Sequence, residues 1–170
     1  MQILPTVLVA AVAITQTIPF NSRPRRSEAV AVTAVADGDT ITVAKYGRVQ
    51  LLGIKAPELG RGSTTSAPFA GQARDRLNEM VLHRWVRLEH DGGIFDEHHR
   101  QPAYVFREDG VFINAALLRD GLARVTARAG LARLDELKRA GAEARSFHRG
   151  MWGSAPRILR PGYTRDPTQP

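Results

Sequence analysis

The alternation of apolar and polar residues along the first third of the chain predicts three consecutive β-strands. Residues 29–35 alternate alanine, valine and threonine, an Asp-Gly-Asp triplet interrupts them at 37–39, and the pattern resumes over 40–43. A Tyr-Gly pair at 46–47 marks a second turn, and a third apolar run follows over 49–54. Short turn signals between alternating segments are typical of hairpins, so this part of the chain is predicted to form an antiparallel meander.

Helical and strand patterns then follow one another. Apolar residues recur at helical spacing over 73–81, strand patterns cover 85–90 and 103–107, and helices are predicted over 114–120 and 131–147. Five short strands, with one helix after the third and two helices after the fifth, follow the element order of an OB fold. The predicted fold class is therefore α+β, mainly β: a five-stranded OB-fold barrel with three helices. Both tryptophans, Trp85 in a strand and Trp152 at a helix end, are interpreted as core residues, and a base-stacking role is the alternative.

The two ends of the chain differ in composition from the domain predicted at 29–153. Residues 1–28 combine an apolar run within 3–20 with an arginine-rich linker, which is typical of a targeting segment. A small-residue cleavage pattern at 11–13 favours export, to the periplasm or the medium, over a membrane anchor formed by residues 3–20. Residues 154–170 are basic and rich in proline, and are predicted to be an extended tail.

The net positive charge of the chain makes polyanions the first binding partners to consider. The formal net charge is +7, and basic residues are concentrated in the C-terminal third. A basic surface attracts nucleic acid through counterion release, although a soluble arginine-rich surface would have the same composition. There is no cysteine, which excludes disulfides, thiolate metal sites and a cysteine nucleophile.

Four charged residues are candidates for chemistry. Asp37 and Asp39 flank a glycine and could present oxygen ligands to a cation, or could simply form a hairpin turn. Glu58 follows a proline at a strand end, where a carboxylate can face a cleft or be solvated. Arg100 precedes a strand and could donate two hydrogen bonds to a phosphate, or could be a surface arginine.

The order and spacing of short motifs across residues 29–153 resemble the thermonuclease family, whose members are staphylococcal-nuclease-like. The motifs are Asp37-Gly38-Asp39-Thr40, Leu51-Leu52-Gly53-Ile54 with Ala56-Pro57-Glu58, Phe69-Ala70-Gly71-Gln72-Ala73, Arg100 before Ala103-Tyr104-Val105, Asn114-Ala115-Ala116-Leu117-Leu118, Gly121-Leu122-Ala123, and Ala142-Glu143-Ala144 before Gly150-Met151-Trp152. The resemblance implies the same barrel with three helices. It also implies a calcium-dependent phosphodiesterase that acts on DNA and RNA.

The resemblance also implies roles for individual residues. Asp39 matches the family's first calcium carboxylate, and Ala56 matches the position whose backbone carbonyl joins it. Glu58 matches the acid that positions or deprotonates the attacking water. Arg100 matches one of two arginines that bind the phosphate and stabilise the transition state. Tyr104 matches an aromatic near the nucleotide pocket, although packing within its strand is the alternative.

Two positions depart from the family pattern. Gln50 stands where the resemblance places the second phosphate arginine, and Lys55 stands where it places the second calcium carboxylate. An ammonium beside the metal position repels a divalent cation, since like charges about 4 Å apart cost roughly 4 kcal/mol per unit pair at an effective dielectric of about 20. Calcium affinity is therefore expected to fall.

Three outcomes remain open for the altered site. One is a degraded nuclease that still binds nucleic acid. Another is a rewired nuclease, in which Lys55 supplies the charge of the ion and Arg48, two residues before Gln50 on the same strand face, binds the phosphate. The third is the family mechanism with weak calcium held by Asp37, Asp39 and Glu58.

Hydrolysis is favoured over pure binding because Asp39, Glu58 and Arg100 are all retained. The prediction is a phosphodiesterase of DNA or RNA with weakened or altered calcium dependence, acting as a monomer. The alternative is a catalytically degraded nucleic-acid-binding OB-fold module. A protein that uses the barrel only as an envelope scaffold would show neither property.

Overall fold

The computed structural model describes residues 25–60, 62–91, 101–126 and 130–153. Their elements in chain order are β1 (Arg25–Asp37), β2 (Thr40–Val43), β3 (Gly47–Leu51), β4 (Ile54–Lys55), α1 (Ala70–Val81), β5 (Trp85–His90), β6 (Gln101–Arg107), α2 (Ile113–Arg119), β7 (Arg124–Val125), α3 (Leu134–Ser146) and a 3-10 helix (Gly150–Trp152). The apolar segment within 3–20, Arg100 and the tail over 154–170 lie outside the described residues. No helix among the described residues is long and apolar enough to span a bilayer.

Five of the strands close into a barrel in the order β1-β2-β3-β6-β5. All neighbours are antiparallel except β3 and β6, which run parallel. Strand β1 pairs with β5 along its first half and with β2 along its second, and register shifts within both pairings bend it. The predicted five-stranded barrel with three helices is confirmed.

The third predicted strand, over 49–54, differs from the structure. Strand β3 ends at Leu51, and a turn with Gly53 at positive φ separates it from β4. Strand β4 pairs with β7, where Lys55 lies opposite Arg124. Two-residue strands show no periodicity, so the sequence pattern could not reveal this small sheet. Its consequence is that Lys55 is held by backbone pairing.

The barrel interior and the space under the helices form one apolar core. Its largest fully buried side chains are Tyr104, Ile41, Leu51, Leu77, Leu88, Ile113, Leu117, Leu118 and Leu137. Asn114 is also fully buried; its amide oxygen accepts a hydrogen bond from the Val105 N–H and its amide nitrogen donates to the Leu52 carbonyl, both at 2.9 Å. These bonds fasten α2 to β6 and to the turn after β3.

Helix α3 is held against the barrel by a buried carboxylate. Glu89, on β5, accepts hydrogen bonds from Arg133 at 2.7 and 2.9 Å and from Arg26 at 3.1 Å. Burial alone would raise the pKa of Glu89, but the two guanidinium groups outweigh burial and lower it. Both guanidinium groups also lie over the ring of Phe106. The start of α3 is thereby fixed on the outer face of the barrel.

The interpretation of both tryptophans as core residues is wrong for Trp85. The side chains of β5 alternate, so that Val86 and Leu88 enter the core while Trp85 faces outward and is 54% exposed. Trp152 is half-buried, and the guanidinium of Arg145 covers its ring at 4.5 Å. The presence of Trp85 in a strand did not by itself show that its side chain would lie in the core.

Candidate active site

A cavity of about 370 Å³ lies where the end of β1 and the turn after it, β3 and β4 meet the loop after Glu58. The residues that line it are Ala36, Asp37, Asp39, Arg48, Lys55, Ala56, Pro57, Glu58, Leu59 and Thr64. The structure therefore brings together six of the eight residues predicted for the site. The other two are Tyr104, which does not line this cavity, and Arg100, which lies outside the described residues.

The turn between β1 and β2 places the two aspartates on the cavity wall. The backbone N–H of Asp39 donates to Asp37 Oδ1 at 3.0 Å, which closes the turn. Gly38 packs so closely that an added Cβ would lie 2.6 Å from the Cβ of Ala73 and 2.7 Å from the Cβ of Ala56. Glycine is needed here because the turn is pressed between helix α1 and the residue after β4.

Gly38→Ala is expected to destabilise the protein by about 1–3 kcal/mol, because neither alanine Cβ can move without its backbone. Gly71→Ala is the matched control, since its added Cβ meets nothing within 4 Å on helix α1. Alanine at that helical site is expected to stabilise by roughly 0.5–1 kcal/mol. Urea unfolding of both variants measures the difference, and equal effects of the two substitutions would contradict the packing described for Gly38.

Asp39 is almost fully buried, and its carboxylate is fixed by several donors. Oδ2 accepts the Ala56 N–H at 2.9 Å, and Oδ1 accepts the Thr40 hydroxyl at 3.1 Å and the Gln50 amide at 3.5 Å. Burial raises the pKa of Asp39, while the Ala56 N–H and the charge of Lys55 act in the opposite direction. The carboxylate is therefore held rigidly in a place where its negative charge needs a nearby cation.

The ammonium group of Lys55 lies between two carboxylates. Its Nζ is 3.6 Å from Asp39 Oδ2 and 3.6 Å from Glu58 Oε1. The three side chains form a gradient from interior to solvent, with 2% of Asp39, 42% of Lys55 and 80% of Glu58 exposed. The Lys55 ammonium therefore lies between the carboxylates of Asp39 and Glu58, and the Glu58 side chain reaches the rim of the cavity.

The residues present do not fit the calcium ion that the family resemblance implies. Calcium takes six to eight oxygen ligands at close range, and an ammonium occupies the space between the two carboxylates that would have to supply them. Asp37 is engaged by the turn through Oδ1. Within residues 25–60, 62–91, 101–126 and 130–153, no group of three or more His, Cys, Asp or Glu residues could hold a metal ion.

Arg48 and Gln50 have different surroundings although they belong to the same strand. Arg48 is exposed and lines the cavity, opposite Thr42 across the β2–β3 pair. Gln50 directs its amide nitrogen to Asp39 and does not line the cavity. Of these two residues of β3, Arg48 alone borders the cavity.

Tyr104 lies in the core, fully buried on β6. Its hydroxyl donates to Asp91 Oδ2 at 3.0 Å, and burial raises its pKa. Its ring meets Phe112 edge to face, with centroids 5.8 Å apart. The position is that of a packing residue, which is the alternative that the sequence left open.

Thr64 is a cavity residue that sequence reasoning missed. The loop after Glu58 folds back on itself, because the Ala67 N–H donates to the Glu58 carbonyl at 2.9 Å and the Gly60 N–H donates to the Ser66 hydroxyl at 3.0 Å. This closure brings Thr64 to the cavity wall. The sequence marked the segment as a polar loop, but no local pattern indicated where the loop would return.

The sequence model of the staphylococcal nuclease homologue family matches residues 48–154, more than half of the chain. The chain belongs to the staphylococcal nuclease family. At the level of that family it is a nuclease, that is, a phosphodiester hydrolase. The family resemblance stated from the motifs is confirmed, and the altered residues Gln50 and Lys55 both lie inside the matched range.

Curated relatives agree with this assignment to the staphylococcal nuclease family. A thermonuclease of Staphylococcus intermedius is 36% identical over 131 residues, which cover 69% of this chain and 77% of that protein. A thermonuclease of Staphylococcus hyicus is 29% identical over 161 residues, covering 87% and 95%. The endonuclease YncB of Bacillus subtilis is 28% identical over 151 residues, covering 85% and 71%.

Proposed function

We propose that this member of the staphylococcal nuclease family hydrolyses phosphodiester bonds of DNA and RNA with weakened calcium dependence, because Lys55 carries the positive charge of the site. One observation carries the proposal: Lys55 Nζ lies 3.6 Å from both Asp39 Oδ2 and Glu58 Oε1. The names of its relatives, thermonucleases and endonucleases, support nucleic acid as the substrate class.

Hydrolysis of a phosphodiester needs a base for water and positive charge for the phosphoryl oxygens. Glu58 accepts the proton of the attacking water, whose oxygen forms the new bond to phosphorus. The bond from phosphorus to the leaving oxygen breaks, and that oxygen takes a proton from solvent. The exposure of Glu58 at the cavity rim supports this role, since water reaches its carboxylate directly.

Positive charge comes from two described side chains that line the cavity, Lys55 and Arg48. Lys55 is anchored by Asp39 and can contact one phosphoryl oxygen, and Arg48 can donate to another because its guanidinium offers several N–H groups. Arg100 stays a predicted phosphate ligand outside the described residues. The cavity volume falls within the range of small-ligand sites, which fits one phosphate with part of its nucleotide.

The second candidate function is a nucleic-acid-binding module without catalysis. It is favoured by the contact of the Gln50 amide with Asp39, because the residue that stands in place of the family's second arginine is directed to a carboxylate. This alternative predicts salt-sensitive binding and no cleavage. Incubation of the full chain with single-stranded DNA and with RNA, under several divalent cations and under chelator, separates the two. Binding without cleavage in every condition would exclude the enzyme.

Arg48→Ala is expected to lower kcat/KM on single-stranded DNA by roughly 10- to 100-fold, because a charge-assisted hydrogen bond to the phosphate is lost. Arg139→Ala is the matched control, since Arg139 is an exposed arginine of α3 that does not line the cavity. Steady-state kinetics of both variants measure the effect. Equal rates for the two variants would show that Arg48 does not bind the scissile phosphate.

The domain boundaries and the destination of the protein are part of the same proposal. The nuclease domain predicted over 29–153 is proposed to begin earlier, at Arg25, because β1 starts there and pairs with β5 from its first residue; the family match over 48–154 supports the other boundary. We propose export on the basis of the apolar segment within 3–20 and its cleavage pattern. Residues 154–170 are proposed to be a basic tail.

A further inference from the structure

Trp85 is a large aromatic residue that the catalytic site does not use. It begins β5, is 54% exposed and does not line the cavity. The strand turns Val86 and Leu88 inward, so Trp85 and Arg87 share the outer face. An indole that is more than half exposed contributes little to the packing of the core. Its ring is accessible to a ligand, and Arg87 lies on the same face.

The cross-strand neighbours of Trp85 and Arg87 on β1 are small residues. In the pairing of β1 with β5, Ala31 lies opposite Trp85 and Ala29 lies opposite Arg87. Cross-strand partners project from the same face of a sheet, so two small side chains flank the indole and the guanidinium. A planar group can therefore approach the ring without meeting a bulky neighbour from β1.

Basic groups continue along this outer face. Beyond Arg87, the guanidinium groups of Arg26 and Arg133 lie over the ring of Phe106, which is the cross-strand partner of Arg87. Glu89 is buried beneath them and is neutralised by both. This surface therefore carries three arginines, Arg26, Arg87 and Arg133, and two carboxylates, Glu89 and Glu136, which leaves one net positive charge. Glu28, on β1, has Lys45 as its partner.

We propose that the outer face of β5 around Trp85 is a second, non-catalytic site for single-stranded nucleic acid. A base stacks on the Trp85 indole, and Arg87 and then Arg26 contact successive phosphates on one side of that base. Sequence-tolerant binding of single strands uses this combination of an aromatic platform and basic groups that follow the backbone. The identity of the ligand rests on the proposed function, but the residues are separate from those of the cavity.

The position of Trp85 predicts a dependence on substrate length. Its partner Ala31 is six residues along β1 from Asp37, a separation of up to about 20 Å in an extended strand. A dinucleotide in the cavity cannot span that distance, whereas a longer strand can occupy both places. The Trp85 face is therefore expected to contribute to the binding of long substrates and not of short ones.

The test is the affinity for an oligothymidylate of about 12 nucleotides, a length within the site sizes of OB folds. It is measured in the Glu58→Gln background so that the oligonucleotide stays intact. Trp85→Ala is expected to weaken binding by about tenfold, and Trp85→Phe to retain most of the affinity because phenylalanine still stacks. The chain has two tryptophans, so loss of oligonucleotide-induced quenching in Trp85→Phe assigns the signal to Trp85.

Phe147→Ala provides the matched control, because Phe147 is also an exposed aromatic, at 66%, and follows α3 away from the β5 face. It is expected to leave affinity unchanged. Affinity that is indifferent to Trp85→Ala, or lost equally in Phe147→Ala, would overturn the proposal. So would a change in self-association without a change in binding. A chain that binds through Trp85 but cleaves nothing would refute the proposed function and leave this inference standing.

Discussion

Lys55→Met is expected to lower the hydrolysis of single-stranded DNA by roughly 100- to 1,000-fold, the usual cost of removing one group that stabilises developing charge. Methionine keeps much of the length and the apolar stem of lysine but removes the ammonium that lies 3.6 Å from both Asp39 and Glu58. The two carboxylates then face the phosphate without a cation between them. Single-turnover rates, with the enzyme in excess, report this step.

Lys138→Met is the matched control for Lys55→Met, because Lys138 is an exposed lysine of helix α3 outside the cavity. A complementary variant combines Lys55→Asp with Gln50→Arg, which supplies both residue types that the family resemblance places there. It is expected to gain calcium-stimulated hydrolysis. If Lys55→Met retained the rate of Lys138→Met, the ammonium would have no part in catalysis.

Glu58→Gln is expected to lower the rate by roughly 100- to 10,000-fold, since an amide cannot take the proton of the attacking water. The side chain is 80% exposed and its neutral isostere fills the same volume, so the free energy of unfolding is expected to change little. The measurement is kcat on single-stranded DNA, with urea unfolding of the same preparation.

Glu79→Gln is the comparison for Glu58→Gln, because Glu79 is an exposed acid on helix α1 that pairs with Arg76 and does not line the cavity. Its activity is expected to match the wild type. If the rate of Glu58→Gln were as high, the attacking water would be activated by another group.

Strong periodicity made the barrel predictable. Apolar alternation and helical spacing identified five strands and three helices, because each of these elements buries one face in the core. The pairing of β4 with β7 was not predictable, since its strands are two residues long. The outward position of Trp85 follows from the alternation of β5, in which Val86 and Leu88 enter the core and Trp85 shares the other face with Arg87; membership of a strand did not by itself indicate burial.

The candidate site was predictable as a set of residues but not as a geometry. Asp39 and Lys55 are far apart in sequence, and they meet because the Ala56 N–H binds Asp39 and the β4–β7 pair holds Lys55 beside it. The sequence showed that Lys55 departs from the family pattern, and it left three possible outcomes for the function of the site. The distances to both carboxylates favour the rewired site among the three.

We infer that the Lys55 ammonium takes the place of a bound cation. The rate at which the full chain hydrolyses single-stranded DNA in excess chelator, compared with the rate in calcium, tests this most directly. An ammonium fixed between Asp39 and Glu58 predicts that most of the rate measured in calcium is kept in chelator. Activity that disappears with chelator and returns with calcium would contradict the account.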